Sequence, residues 1–83
     1  MAHNEYKFTV NGTEETADHD VLKFEEIVKL AFPDIQPDPA SNAFSVTFEH
    51  AESKPHHGSL ALGAEVTVKK HGTIFDVVHT SRS

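Results

Sequence analysis

The chain has 83 residues, no cysteine and a formal net charge of −6. A chain of this length buries only roughly 60–65% of its unfolded surface, enough for one hydrophobic core and not for a second domain. Without cysteine there is no disulfide, thiolate zinc site, cysteine nucleophile or plant-type iron–sulfur cluster, and the negative balance opposes non-specific binding to nucleic acid, which needs clustered Lys and Arg.

The charge is uneven. Through Glu52 there are eleven acids against three bases, a balance of −8, and from Ser53 onward two acids against four bases, a balance of +2. Apolar runs span only a few residues, and Met1-Ala2-His3-Asn4-Glu5 lacks a basic segment followed by an apolar one. The expectation is a cytoplasmic protein with neither signal peptide nor membrane span, and with no nucleic-acid or membrane partner.

Tyr6, Phe8 and Val10 alternate with Lys7 and Thr9, the period of a strand with one buried face, and Asn11-Gly12 follows as a hairpin turn. The return strand is expected from Thr13 to Val21 or Leu22, polar enough to suit an exposed edge. From Phe24 the period changes to three and four. Phe24, Ile27, Val28 and Ala31 make one stripe with Leu30 beside it, and acids occupy the first turn. Pro33 cannot continue this helix, which is expected to stop at Ala31 or Phe32. A loop rich in proline then leads to a strand in which Phe44, Val46 and Phe48 alternate with Ser45, Thr47 and Glu49, ending near His50. A polar, histidine-rich loop runs to Gly58. Leu60 and Leu62 precede Gly63, Val66 and Val68 alternate with Thr67, and Lys69-Lys70-His71-Gly72 turns the chain into a last strand from Ile74 to His79, predicting a final hairpin.

The order strand, strand, helix, strand, strand, strand predicts an α+β fold: a β-grasp, ubiquitin-like mixed sheet of four to five strands with one helix across it. First and last strands lie parallel at its centre, because the helix supplies the crossover. A ferredoxin-like fold needs a second helix that the pattern lacks; a small β-barrel is the other alternative. The domain is expected over residues 1–78, with a flexible C-terminal tail over 79–83, which has no apolar residue after Val78.

Tyr6-Lys7-Phe8-Thr9-Val10-Asn11-Gly12 at the start, the order of elements, and Val66 to Ser83 with its closing Gly72-x-x-Phe75-x-Val77 strand and Ser81-Arg82-Ser83 ending resemble the bacterial multiubiquitin-type family of ubiquitin-like domains. The resemblance implies a protein modifier in a bacterial ubiquitination-like system. Its implied partners are E1-like activating and E2-like conjugating enzymes, a JAB-like peptidase and protein targets, with no cofactor of its own; some such systems act in antiviral defence. It also implies that the conjugation tail is His79, Thr80, Ser81, Arg82 and Ser83. The chain departs from eukaryotic ubiquitin in lacking a terminal Gly-Gly, so side chains stand where a bare backbone would enter a narrow enzyme channel. Either Ser83 is the working terminus or a processed end is. A sulfur carrier shares the fold but wants a Gly-Gly thiocarboxylate that is missing.

With Phe75 and Val77 facing the core, strand alternation places Ile74, Asp76 and Val78 on the other face beside Ser45 and Thr47, a candidate partner-binding surface. An inverted register would exchange core and patch. Isolated surface aliphatics are also ordinary, so the pattern admits a plain solvated face. Seven histidines raise the question of metal, with His50, His56 and His57 the densest group. Adjacent strand residues point to opposite faces, and there is no His-Glu-x-x-His spacing, so no metal site is expected. Six lysines (Lys7, Lys23, Lys29, Lys54, Lys69, Lys70) are available as chain acceptors without one standing out. Serine and histidine never fall into a nucleophile–base arrangement such as Gly-x-Ser-x-Gly, and a glycine-rich phosphate loop is missing; the expectation is no enzymatic activity and no catalytic residue.

Overall fold

In the computed structural model, which describes residues 5–34 and 42–81, the chain forms β1 (Tyr6–Val10), β2 (Thr13–Ala17), β3 (Val21–Lys23), α1 (Phe24–Ala31), β4 (Asn42–Glu49), β5 (Gly58–Leu60), β6 (Glu65–Thr67) and β7 (His71–Ser81). Five strands make a mixed sheet in the order β2-β1-β7-β4-β5, and β3 and β6 make a second, two-stranded sheet. β7 is central, parallel to β1 and antiparallel to β4. With α1 packed across the sheet, this is the ubiquitin-like β-grasp fold.

Strand alternation decides what is buried. Phe8 and Val10 of β1, Phe75 and Val77 of β7, Val46 and Phe48 of β4 and Leu60 of β5 all point to the inner face, where they meet Phe24, Ile27 and Val28 of the helix. Phe8 and Phe75, 1% and 0% exposed, meet edge to face with ring centroids 5.8 Å apart. The helix begins where Lys23 N–H donates to Glu26 Oε1 at 3.0 Å, which satisfies one of the unpaired amides at a helix start.

The β1–β2 turn is more than a reversal. Asn11 holds φ 52°, a conformation that asparagine tolerates better than most residues, ahead of Gly12 at φ 82°. In that pose the Asn11 side chain donates to Val77 O at 3.1 Å and its Oδ1 accepts Val77 N–H at 2.8 Å, extending the β1–β7 ladder by one step after the backbone of β1 has turned away. Asn11→Ala removes both bonds and is expected to cost about 1–3 kcal/mol, measured as a drop in chemical-denaturation stability. Asn11→Gly, which keeps the backbone free to turn, should recover little of the loss.

Two expectations are corrected. The second strand stops at Ala17 instead of running to Val21 or Leu22. Asp18, His19 and Asp20 bend the chain, and Val21–Lys23 pairs with β6 instead, which turns Leu22 into the core. The final hairpin does not form: β6 pairs with β3 and not with β7. Thr67 explains why. Its carbonyl accepts the Glu52 and Ser53 amides at 2.9 and 3.3 Å, and its own amide donates to Ser53 Oγ at 3.1 Å, so the edge of β6 away from β3 is already occupied. The last strand must travel to the sheet centre, and it bulges at Gly72 (φ 105°) as the register against β1 shifts between Lys7 and Phe8. Thr73, wholly buried, fastens this crossing: its hydroxyl donates to His50 O at 2.8 Å and accepts Lys69 N–H at 3.0 Å. Thr73→Val keeps the shape but takes the hydroxyl from two part-buried bonds, leaving the His50 carbonyl and the Lys69 amide without it. The expected cost is about 1–3 kcal/mol, read as a lower melting temperature.

The bend after β2 is tied to the helix by a histidine. His19 Nδ1 lies 2.7 Å from Asp18 Oδ1 and Nε2 lies 2.8 Å from Glu26 Oε2. Both ring nitrogens can donate at once only as imidazolium. The hydrogen bond to Asp18, then that to Glu26, raises the His19 pKa above its ordinary 6.5, and the bond to His19 lowers Asp18 below 3.8. A raised histidine stabilises the fold fully below its unfolded pKa and loses that contribution as pH climbs through the folded value. A lowered aspartate contributes above its unfolded pKa and loses it as pH falls through the folded one. The clasp therefore acts between about pH 4 and 6.5. The melting-temperature gap between wild type and His19→Ala should be widest there and narrow as pH rises above that window.

Candidate functional site

Two places carry the functional expectations: the outer sheet face and the C-terminal end of β7. On the outer face, register sets the neighbours. Ser45 lies opposite Val78, Thr47 opposite Asp76 and Glu49 opposite Ile74, while Thr9 of β1 flanks Ile74 on its other side. Ser45, Thr47, Ile74, Asp76 and Val78 are all exposed, Val78 at 56% and Ile74 at 36%, while Phe75 and Val77 between them are buried. The five candidate residues therefore share one face. At about 3.3 Å per residue, Ile74 and Val78 stand roughly 13 Å apart with the Asp76 carboxylate between them, so they form two small apolar spots on a polar, acidic surface instead of one continuous patch.

At the end of β7 the structure departs from the expected tail. β7 does not release at Val78: His79, Thr80 and Ser81 remain strand residues, in register with Phe44, Ala43 and Asn42 of β4. Arg82 and Ser83, the rest of the predicted tail, lie outside the described residues. The reason is parity. Residue 79 falls on the inward set with 73, 75 and 77, so its half-buried imidazole turns under the sheet and stacks on the Phe44 ring, centroids 4.7 Å apart and planes 21° apart. Phe32, the C-cap residue just after α1, completes the cluster, with its ring 5.8 Å from both Phe44 and His79. Lack of an aliphatic after Val78 pointed to a loose end. The missed signal was an inward-facing histidine opposite a phenylalanine.

The histidine-rich loop behaves differently. His56 Nδ1 donates to Ala51 O at 2.8 Å, closing the loop on itself, and the carbonyl of His50 is used by Thr73. His50, His56 and His57, with Thr47, Phe48 and Glu49, border an open depression of about 430 Å³. Among the described residues, no group of three or more His, Asp or Glu side chains is placed to hold a metal ion. Among them, too, no helix is long and apolar enough to cross a membrane.

The multiubiquitin family profile matches residues 6–81, from the first residue of β1 to the last of β7. The chain belongs to the multiubiquitin family. It is thus a ubiquitin-like domain, and the match takes in both candidate places except Arg82 and Ser83. No curated protein and no solved structure matches the chain. Within the multiubiquitin domain the matched C-terminal stretch is the central strand itself, so core, sheet face and chain end share one element. The side chains alternate along it: odd positions from Thr73 to Val77 build the core, and even positions from Ile74 to Val78 face outward.

Proposed function

We propose that this multiubiquitin domain is a protein modifier of a bacterial ubiquitination-like pathway, activated at its C-terminal carboxylate by an E1-like enzyme and passed through an E2-like enzyme to protein targets. A JAB-like peptidase would process or remove it. The observation that carries the reading is family membership across residues 6–81. In chemical terms the carboxylate oxygen attacks the α-phosphorus of ATP and pyrophosphate leaves. A nucleophile of the enzymes then takes the acyl group and AMP leaves. A target amine finally takes the acyl group, the enzyme nucleophile is released, and an amide is formed. The domain supplies the carboxylate and the recognition surface, and the enzymes supply the catalysis. The cytoplasm, which holds ATP and amine targets together, is the compartment this reading requires.

Incubation with ATP, magnesium and the activating and conjugating enzymes encoded beside the gene tests it. The expected result is an enzyme adduct at the summed mass less one water, seen by intact mass spectrometry. No adduct with enzymes proven active on another substrate overturns the proposal.

A second reading is favoured by the outer face. Here the domain is a non-conjugated binding module holding a partner through Ser45, Thr47, Ile74, Asp76 and Val78, with the C-terminal end irrelevant. Two exposed aliphatics framed by Thr9, Glu49 and Asp76 suit a small mixed interface. Ile74→Asp with Val78→Asp should leave the fold intact and weaken partner capture at least tenfold.

A further inference from the structure

We infer that the channel between β2 and α1 docks an extended, cationic peptide of a partner protein, which adds as a strand to the outer edge of β2. The site is separate from the outer sheet face and holds whether or not the domain is conjugated. β2 stands first in the order β2-β1-β7-β4-β5, and among the described residues no strand borders its other side. Its turn is a two-residue loop, with Val10 opposite Thr13, Phe8 opposite Glu15 and Tyr6 opposite Ala17. In such a hairpin those pairs exchange the backbone hydrogen bonds between the two strands, so the amides and carbonyls of Glu14 and Thr16 point away from the sheet. At the far edge of the sheet β5 has three residues, whereas β2 has five. A row of unpaired backbone groups of that length is a template for another strand.

The edge runs beside a groove of about 440 Å³, to which Phe8, Ala17, Leu22 and Leu30 give an apolar lining. Leu30 lies outside the core cluster and is 37% exposed, an aliphatic of α1 that the domain itself leaves uncovered. A strand laid on β2 turns alternate side chains toward the helix, so apolar residues two apart enter the groove while those between them face solvent. A helical partner keeps its own backbone bonds and leaves the edge unpaired.

Charge selects the occupant. Glu14 and Glu15 lie along β2, with Asp18 and Glu26 beyond its end, against Lys29 as the one lysine in the lining. The imidazole of His19 is already held between Asp18 and Glu26, and the Asp18 side chain is 93% exposed, open to a cation arriving from solvent. A second copy of β2 sets its own glutamates against these, so self-pairing is opposed. A segment carrying Lys or Arg beside its apolar residues is matched.

Backbone-amide NMR of the full chain tests the inference. The probe is a pool of capped hexapeptides with Arg or Lys at both ends, Val, Ile, Leu or Phe at the second and fourth positions, and Thr at the third and fifth. Members that bind should shift the amides of residues 14–18 and 26–30 and slow hydrogen exchange at Glu14 and Thr16 at least tenfold at saturation. A strand added to one edge uses alternate amides only, so N-methylation of one alternate set in the peptide should abolish binding and methylation of the other should spare it. Replacing both end cations by Glu, or Leu30→Lys in the protein, should each weaken binding at least tenfold. No member binding at about 1 mM, the weak end of specific recognition, overturns the site. Shifts centred on Ile74 and Val78 place the peptide on the outer face and overturn the groove, the same effect from both methylation patterns overturns strand addition, and equal binding of the Glu-ended peptides overturns the cationic occupant.

Discussion

Phe75→Ala is expected to remove about 3–5 kcal/mol of folding stability, the largest single loss in the domain. Phe75 is wholly buried in the central strand, between β1 and β4, with its ring edge to face against Phe8. Truncating a buried phenylalanine costs about 3–5 kcal/mol through lost transfer energy and the cavity left behind. An 83-residue domain has only about 4–12 kcal/mol in total. The loss is therefore comparable with the whole stability at the lower end. With a urea slope of about 1–1.5 kcal/mol/M for a chain of this size, the midpoint should fall by roughly 2–5 M. Val78→Ala, three residues on and on the opposite face, should stay within about 0.5 kcal/mol of wild type. Equal costs at the two positions would mean that the strand is not held in one register, because a slip of one residue exchanges the faces.

That contrast also shows which parts of the fold were readable from the residues. Where one face is apolar and the other polar, period alone decides burial. Phe8 and Val10, Val46 and Phe48, Phe75 and Val77, and the helix stripe of Phe24, Ile27 and Val28 all lie inward as their spacing predicts. The helix ends at Ala31, just before Phe32 and Pro33, because proline cannot continue the hydrogen-bonding pattern. Pairing was less legible, since period says which way a side chain points and not which strand lies next to it. Val66-Thr67-Val68 followed by Lys69 to Gly72 reads as half a hairpin. Yet its free edge is taken by Glu52 and Ser53, residues some fourteen positions earlier, whose contact leaves no local pattern.

The same limit applied to the candidate site. The outer-face residues Ser45, Thr47, Ile74, Asp76 and Val78 were placed together by alternation, but their spacing into two apolar spots follows from strand rise and from Asp76 intervening. His79 reads as part of a loose end because no apolar residue follows Val78. Its burial follows from continuing the parity of Phe75 and Val77 by one more step, to a position where Phe44 stands opposite. The His19 clasp had no sequence signal of its own. It depends on Asp18 and Glu26 converging from different elements, seven positions apart in the case of Glu26.

The continuation of β7 to Ser81 also determines which truncation separates a modifier from a binding module. Removing residues 79–83 deletes the His79 ring and three paired positions with β4, so it weakens the sheet edge as well as the terminus, and a loss of function would have two causes. Removing only Arg82 and Ser83 leaves every residue of β7 in place. In a modifier the shortened chain ends at a residue still paired in the sheet, and adduct formation with the activating enzyme should fall at least a hundredfold, while the retained pairing of β7 with β4 should keep the melting temperature within about 2 °C of wild type. In a binding module the same truncation should leave capture of the partner and cellular function unchanged, whereas Ile74→Asp with Val78→Asp should abolish them. Full adduct formation after loss of residues 82 and 83 would show that the reacting carboxylate is not read at that position, and the modifier proposal in its present form would fall.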